Sequence, residues 1–243
     1  MKITKLKSNN GFTIIELMIA TSVLSVILVL VTILMMSIGN LYYKGVNQSR
    51  AQDDTRSITD ELSQHLQLSS QQPSTGSQAF PGGVTVSAYC IDTTRYSYVT
   101  GVQSGQIPPS ASTVLRHVLW RDAIPAGSNC GAADLTSNDP TSSSLDDVKG
   151  VDGSGTELVS PHSRLTQFCI GSIDSGGTCT TNVNSPYTIE VGVAYGDSDL
   201  LKYIKPPPLN SPNAVCSGDK GDQFCATAYL NTTVVKRLTD DSL

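Results

Sequence analysis

Residues 12–38 form an apolar run that holds a single charge, Glu16. A helix over this run is about 40 Å long at ~1.5 Å per residue, more than the ~30 Å of hydrocarbon in a bilayer. The pattern then changes. Ala51, Thr55, Ile58, Leu62 and Leu66 recur three and four positions apart, which puts them on one face of a helix. Asp53, Asp54, Arg56, Asp60, Glu61 and Gln64 fall on the other faces. The spacing predicts one long helix, apolar all round at first and amphipathic afterwards. Gly39 and Gly45 lie between the two halves. A glycine inside a helix costs ~1 kcal/mol relative to alanine, so bending is easiest there.

Past the helix the pattern becomes that of strands. Residues 69–83 are mostly Ser, Gln, Pro, Gly and Thr and read as a loop. Val84–Ile91 alternates β-branched and small residues, a strand signal. Residues 96–100 and 114–120 are the next strand candidates. Residues 123–161 are rich in Ser, Gly, Asp, Asn and Pro and read as a long surface excursion, pinned in part by Cys130. Residues 165–170 and the strictly alternating Tyr187–Tyr195 read as strands, as do residues 226–237. Pro206, Pro207 and Pro208 force an extended linker before the last of these. One helix followed by many strands predicts an α+β fold, with the amphipathic half of the helix on an antiparallel sheet.

Glu16 is the anomaly in this layout. A carboxylate at the centre of a membrane helix costs roughly 2.5–3.5 kcal/mol on insertion scales, and a plain anchor has no use for one. A helix that leaves the bilayer to pack against copies of itself can use it to set register. Lys2, Lys5 and Lys7 precede the run with no acid among them. Lysines on one side of a span hold that side in the cytoplasm, which places the rest of the chain outside.

The residues Gly11-Phe12-Thr13-Ile14-Ile15-Glu16, behind a lysine leader and at the head of a long helix, resemble the class III signal of type IV pilins and type II secretion pseudopilins. The resemblance implies that a membrane aspartyl prepilin peptidase cuts between Gly11 and Phe12. It implies that the new Phe12 amine is methylated and that Glu16 is the acid used in assembly. It also implies three other partners: the membrane, the other pilin subunits of a filament and an inner-membrane assembly platform. The residue types suit these tasks. Gly11 has no side chain to hinder a protease. Glu16 is one helical turn beyond Phe12, so the amine of one subunit can meet the carboxylate of another in a stack. Pairing removes much of the cost of two charges in apolar surroundings, and packing out of register leaves both unpaired.

On this reading residues 1–11 are a cytoplasmic leader and residues 12–38 a transmembrane and later filament-core helix. Residues 39–72 continue the helix and link it to an extracytoplasmic β-rich domain, residues 73–243. The layout is similar over its whole length to minor pilins and pseudopilins, most of all PilW-type minor pilins and J-type secretion pseudopilins. That likeness implies a pilin-like fold with a disulfide-stapled head, and a structural subunit rather than an enzyme. A bulky head is hard to tile along a whole filament, which favours a minor subunit. Two other readings stay open. One is a pseudopilin of a type II secretion or DNA-uptake system. The other is a membrane-anchored extracellular adhesin or enzyme with an uncleaved signal anchor. A secretory signal peptide fits poorly, because its apolar region runs only about 7–15 residues.

The chain of 243 residues carries a formal net charge of −5, with the leader lysines counted against that sum. This argues against general nucleic-acid binding, which needs a basic footprint. Cys90, Cys130, Cys169, Cys179, Cys216 and Cys225 all fall in the part placed outside. An even count in an exported segment reads as disulfides, although many pairings are possible. Short separations favour Cys169 with Cys179 and Cys216 with Cys225, which leaves Cys90 for Cys130.

No Cys-x-x-Cys pair occurs, and His65, His117 and His162 lie far from the cysteines, so no metal or cofactor is expected. Nor is there a Gly-x-Ser-x-Gly turn or other nucleophile constellation, so no catalytic residue is expected. Asp152 to Glu157 and Asp219 to Asp222 place carboxylates beside glycines. They lack the Asp-x-Asp-x-Asp-Gly calcium loop and read as turns. Asn47 and Asn231 match the glycosylation acceptor pattern, but Asn231 falls inside a predicted strand.

Overall fold

The computed structural model describes residues 11–109, 111–124, 129–137, 155–173, 179–180, 186–204, 213–218 and 221–237. The chain divides into two compact units, one ending at Tyr43 and one beginning at Lys44. A single helix, α1 (Ile14–Leu68), runs through both.

In the first unit the apolar side chains are exposed all round the helix, Ile14, Leu17, Ile19, Leu24, Leu30 and Leu34 among them. This stretch is long and apolar enough to cross a membrane. The few hydroxyls in it are not left bare. Thr21, Ser22, Ser25, Thr32 and Ser37 each donate to a backbone carbonyl one turn back, at 2.8–3.1 Å, which satisfies them inside hydrocarbon.

In the second unit the helix buries Asn47, Ala51, Asp54, Thr55, Ile58, Thr59, Leu62 and Leu66, the face that the spacing predicts. Five strands form one antiparallel sheet in chain order: β1 (Ser74–Phe80), β2 (Val84–Ile91), β3 (Thr94–Tyr98), β4 (Leu119–Ala123) and β5 (Thr156–Glu157). Three more form a second sheet in the order β12-β9-β6, with β6 (Ser163–Ile170), β9 (Tyr187–Tyr195) and β12 (Ala226–Val234). Two small ladders complete the described strands: β7 (Ser172–Ile173) with β8 (Cys179–Thr180), and β10 (Leu201–Tyr203) with β11 (Ala214–Cys216). The architecture is thus α+β and pilin-like, but the helix meets two sheets where one was expected. Ile58, Leu62 and Leu66 share a core with Val86 and Leu119 from the first sheet and Leu165, Ile189 and Val193 from the second.

Register explains what covers the first sheet. Thr75, Tyr89, Tyr96 and Arg121 align across it and share one face. The helix binds that face. The Tyr96 hydroxyl lies 3.1 Å from Glu61 Oε1 and 3.0 Å from His65 Nδ1, and Arg121 Nη1 is 3.1 Å from Glu61 Oε1. The opposite face carries Gly76, Cys90, Arg95 and Ser97 and is covered by residues 129–137. Cys130 is bonded to Cys90, Arg95 Nη1 donates to the Gly131 carbonyl at 3.2 Å, and Ser97 Oγ accepts from the Ala133 amide at 2.8 Å. Gly76 admits this segment, because a Cβ there would collide with the Cys130 carbonyl.

These contacts correct several expectations. Residues 69–83 are not all loop. Residues 74–80 pair with β2 in full register as an edge strand, and only Pro81, Gly82 and Gly83 turn, with the two glycines at φ 88° and 82°. Residues 114–118 are not strand. The Leu115 amide reaches the Gln106 carbonyl and the Arg116 and His117 amides reach the Leu135 carbonyl instead, and pairing starts at Leu119. β3 begins at Thr94 rather than Tyr96, because Asp92 takes a positive φ of 52° and closes the β2–β3 turn early. The excursion over residues 123–161 is not purely superficial: Ala132, Ala133, Leu135 and Val159 are buried, while residues 138–154 lie outside the described residues. β9 has the bounds that its alternation predicts, yet both its faces are covered, as a central strand's are. The last strand stops at Val234. Pro206, Pro207 and Pro208 lie outside the described residues.

Burial raises the phenol pKa values of Tyr96, Tyr98 and Tyr229. Next to burial, the Glu61 charge acts on Tyr96, neighbouring Tyr89 on Tyr98, and a hydrogen bond to Glu190 on Tyr229. A folded pKa above the unfolded value of about 10 means that the folded chain keeps protons the unfolded chain has lost. Stability from these groups is therefore complete below about pH 10 and declines as pH rises beyond it. Denaturant midpoints measured from pH 8 upward are expected to fall above pH 10, and Tyr96→Phe should make that fall shallower.

Candidate functional site

The head of α1 is where the sequence puts its most specific chemistry. Gly11 and Phe12 precede the first helical residue, Ile14, and both are exposed, Phe12 at 87%. Nothing lies within 4 Å of a Cβ built on Gly11. The Gly11–Phe12 peptide therefore lies outside the helix, with no crowding at Gly11 among the described residues.

Thr13 and Glu16 then lock the start of the helix. The Thr13 amide and hydroxyl each donate to Glu16 Oε2 at 2.9 Å. Thr13 Oγ1 accepts from the Glu16 amide at 3.3 Å in return. This is a reciprocal capping box. Reading Glu16 purely as an assembly acid missed it, although the Thr-x-x-Glu spacing signals it. Glu16 thus has two tasks: it satisfies an otherwise bare amide at the helix head, and it presents a carboxylate on an exposed apolar surface. Oε1 has no partner among the described residues, so one oxygen stays open to an external donor while the other caps.

Residues 6–32 match the family model for the prokaryotic N-terminal methylation motif. The match covers both Gly11 and Phe12 and runs through Glu16 over most of the apolar stretch. No curated protein and no solved structure matches the chain. The motif supports an exported subunit of the type IV pilin and pseudopilin kind, and with the apolar helix it fits a membrane-anchored pilin. It points to a structural protein. Lys2, Lys5 and Lys7 lie outside the described residues.

The structure joins Cys90 to Cys130, Cys169 to Cys179 and Cys216 to Cys225, with Cα separations of 5.7, 5.7 and 5.8 Å. The histidines do not converge. His65 faces Tyr96 on the helix side of the first sheet. His162 is exposed at a positive φ of 66°. His117 Nδ1 sits 3.2 Å from Glu157 Oε2, its ring centroid is 4.3 Å from that of Trp120, and its Nε2 is buried without a partner.

Two of the carboxylates near glycines, Glu157 and Asp222, are already engaged. Glu157 accepts from the Val118 and Leu119 amides at 3.1 and 2.9 Å, and Asp222 pairs with Lys44 at 2.6 Å. Asp152 and Asp219 lie outside the described residues. Asn47 is buried and donates to the Gln223 carbonyl at 3.2 Å. Asn231 lies within β12, its Nδ2 3.5 Å from the Tyr229 hydroxyl. Neither side chain is presented as a glycan acceptor.

Surface cavities open among the described residues of the second unit. One of about 340 Å³ has Thr75, Ser77, Ser87, Tyr89 and Tyr98 in its wall. Another, about 470 Å³, has Glu157, Ser160, His162 and Ser163 in its wall.

The most consequential side chains that the sequence reading passed over are Arg95 and Asp122. They stand opposite each other on β3 and β4 and are both fully buried. Arg95 Nε donates to Asp122 Oδ1 at 2.8 Å, and Nη2 meets Oδ2. One charge on each of two short, ordinary strands leaves no periodic signal.

Proposed function

We propose that the chain is a prepilin: a membrane-inserted precursor cut after Gly11, methylated at Phe12 and incorporated as a minor subunit of a type IV pilus. Residues 12–38 first span the membrane and then pack in the filament core. Residues 39–72 join that helix to an outward-facing domain, residues 73–243. The leader stays in the cytoplasm and the domain is exported. Glu16 pairs with the Phe12 amine of a neighbouring subunit, and that pairing selects the register of the stack. A prepilin peptidase and an inner-membrane assembly platform act on the chain in turn, and the chain itself does no chemistry.

One observation carries this reading. The only charge on the apolar helix sits one turn from a Gly-Phe bond, inside a matched methylation motif. Co-expression with a prepilin peptidase tests it by intact mass. The leader is expected to be lost only when the peptidase is active. A full-length mass in both cases would favour the uncleaved anchor. The size of the second unit favours a minor subunit. PilW-type kinship rests on length and strand layout, and the partners encoded beside the gene distinguish a pilus from a secretion machine.

A further inference from the structure

β1 is an edge of the first sheet. It pairs with β2 over all seven of its residues, without a bulge. In an antiparallel pair every second residue turns its amide and carbonyl away from the partner strand. On that outer side β1 meets no further strand among the described residues. Beyond β2, its one backbone partner there lies in its own turn, where the Gly83 amide donates to the Phe80 carbonyl at 3.3 Å. Cys130 Sγ is 3.6 Å from the Ser74 carbonyl, but as half of a disulfide it has no proton to donate. Ser74, Thr75, Ser77 and Ala79 are exposed. The strand therefore shows solvent a row of unused donors and acceptors.

Sheet edges are normally guarded. Lysine, proline, a bulge or a short strand keeps other chains from pairing there. The opposite edge of this sheet, β5, is only two residues long. In the second sheet the outer side of β6 is occupied: Gln103 bridges Arg164, and the Gly101 amide donates to the Leu165 carbonyl at 2.8 Å. β1 has none of these guards. Residues 69–83 hold no Asp, Glu, Lys or Arg, and Pro73 and Pro81 fall just outside the strand.

The cavity of about 340 Å³ adjoins this edge on one face. Thr75 and Ser77 stand there beside Tyr89 and Ser87, their partners on β2, and Tyr98 follows on β3. The Tyr89 and Tyr98 rings are stacked 5.6 Å apart and both meet the Phe168 ring edge-on. The described wall holds no charged side chain. A strand laid along β1 would send alternate side chains over this cavity. A charge entering it would lose water and find only neutral groups, which is costly.

We propose that β1 is a docking edge. It takes an extended, uncharged segment of a partner polypeptide as an added antiparallel strand, with the side chains of one face over the cavity beside Thr75 and Ser77. Backbone bonds supply the affinity and the cavity selects the side chains. The antiparallel direction continues a sheet in which every pair is antiparallel. Docking at β1 requires neither leader removal nor entry into a fibre.

Amide hydrogen exchange of the full chain in detergent micelles tests this, with capped synthetic heptapeptides as probes. The neutral probe is Ser-Thr-Val-Thr-Val-Thr-Ser. The charged probe replaces each Thr by Lys. The third is the neutral probe with every backbone nitrogen methylated, so that it cannot donate to β1. At millimolar neutral probe, the outward amides of residues 74–80 are expected to exchange about tenfold slower, the response to an occupied edge. The charged and methylated probes should leave them unchanged. Ser77→Lys places a guard on the edge and should abolish the slowing, whereas Gln71→Lys, a charge outside the strand, should not. The methylated probe acts on the wild-type chain and decides the matter if Ser77→Lys does not fold. No slowing with the neutral probe would overturn the proposal. So would equal slowing with the charged or the methylated probe, or slowing that survives Ser77→Lys.

Discussion

Glu16→Ala is expected to leave leader removal intact and to lower the amount of the chain in sheared filaments about tenfold or more. The magnitude follows from the partner left behind: a charged amine stranded in an apolar core costs several kcal/mol, and each 1.4 kcal/mol is a factor of ten. Glu16→Ala alone is ambiguous, because the same carboxylate caps the helix through Thr13. Losing a cap costs about 1 kcal/mol and would also impair packing. Glu16→Gln separates the two effects. A glutamine can still accept from the Thr13 amide, so capping survives, but it cannot neutralise an amine. If pairing matters, Glu16→Gln should be excluded from filaments nearly as strongly as Glu16→Ala. If capping is all that Glu16 does, Glu16→Gln should assemble normally and Thr13→Val should be the damaging change. Immunoblots of sheared and cell-bound fractions, normalised to processed protein in the membrane, read out both.

The second large effect concerns stability. Asp122→Ala should destabilise the folded chain by about 3–5 kcal/mol, because it leaves Arg95 as a buried cation without its counter-charge. Arg95 keeps one neutral partner, the Gly131 carbonyl, which limits the loss without cancelling it. Trp120, the single tryptophan, is buried on the same strand and reports unfolding directly by fluorescence in a urea titration. Replacing both charges at once, Arg95→Met with Asp122→Leu, should recover most of the loss, since well-packed apolar pairs often match or exceed a buried ion pair. A single Asp122 variant with an unchanged midpoint would mean that water or another acceptor reaches Arg95.

Much of the fold can be read along the chain where a periodic pattern runs for two turns or more. The buried face at Ala51, Thr55, Ile58, Leu62 and Leu66 announces itself because each residue must meet the same core. β2 and β9 do so because alternating β-branched residues seldom do anything else.

The misses share a cause. β1 is polar because it is an edge strand over a small-residue face, where Gly76 must yield to the Cys130 carbonyl. No hydrophobic period marks such a strand, and its Pro-Gly-Gly turn reads as loop. Residues 114–118 are apolar enough for a strand, but the Leu115, Arg116 and His117 amides are taken by Gln106 and Leu135, partners that no local window contains. Residues 129–137 are small and polar, yet they roof the outer face of the first sheet, a role set by the Cys90–Cys130 bridge and the Arg95 donor.

At the candidate site the motif was legible because it is a linear segment, residues 6–32. The cap beneath it was legible too, in Thr13-x-x-Glu16, and was overlooked because Glu16 already had a more conspicuous reading.

The most direct measurement is the N-terminal residue of chains recovered from sheared filaments of cells that carry the whole assembly machinery. The account predicts a chain that begins at methylated Phe12. A folded, membrane-embedded chain that still begins at Met1 and never reaches the filament fraction would contradict it.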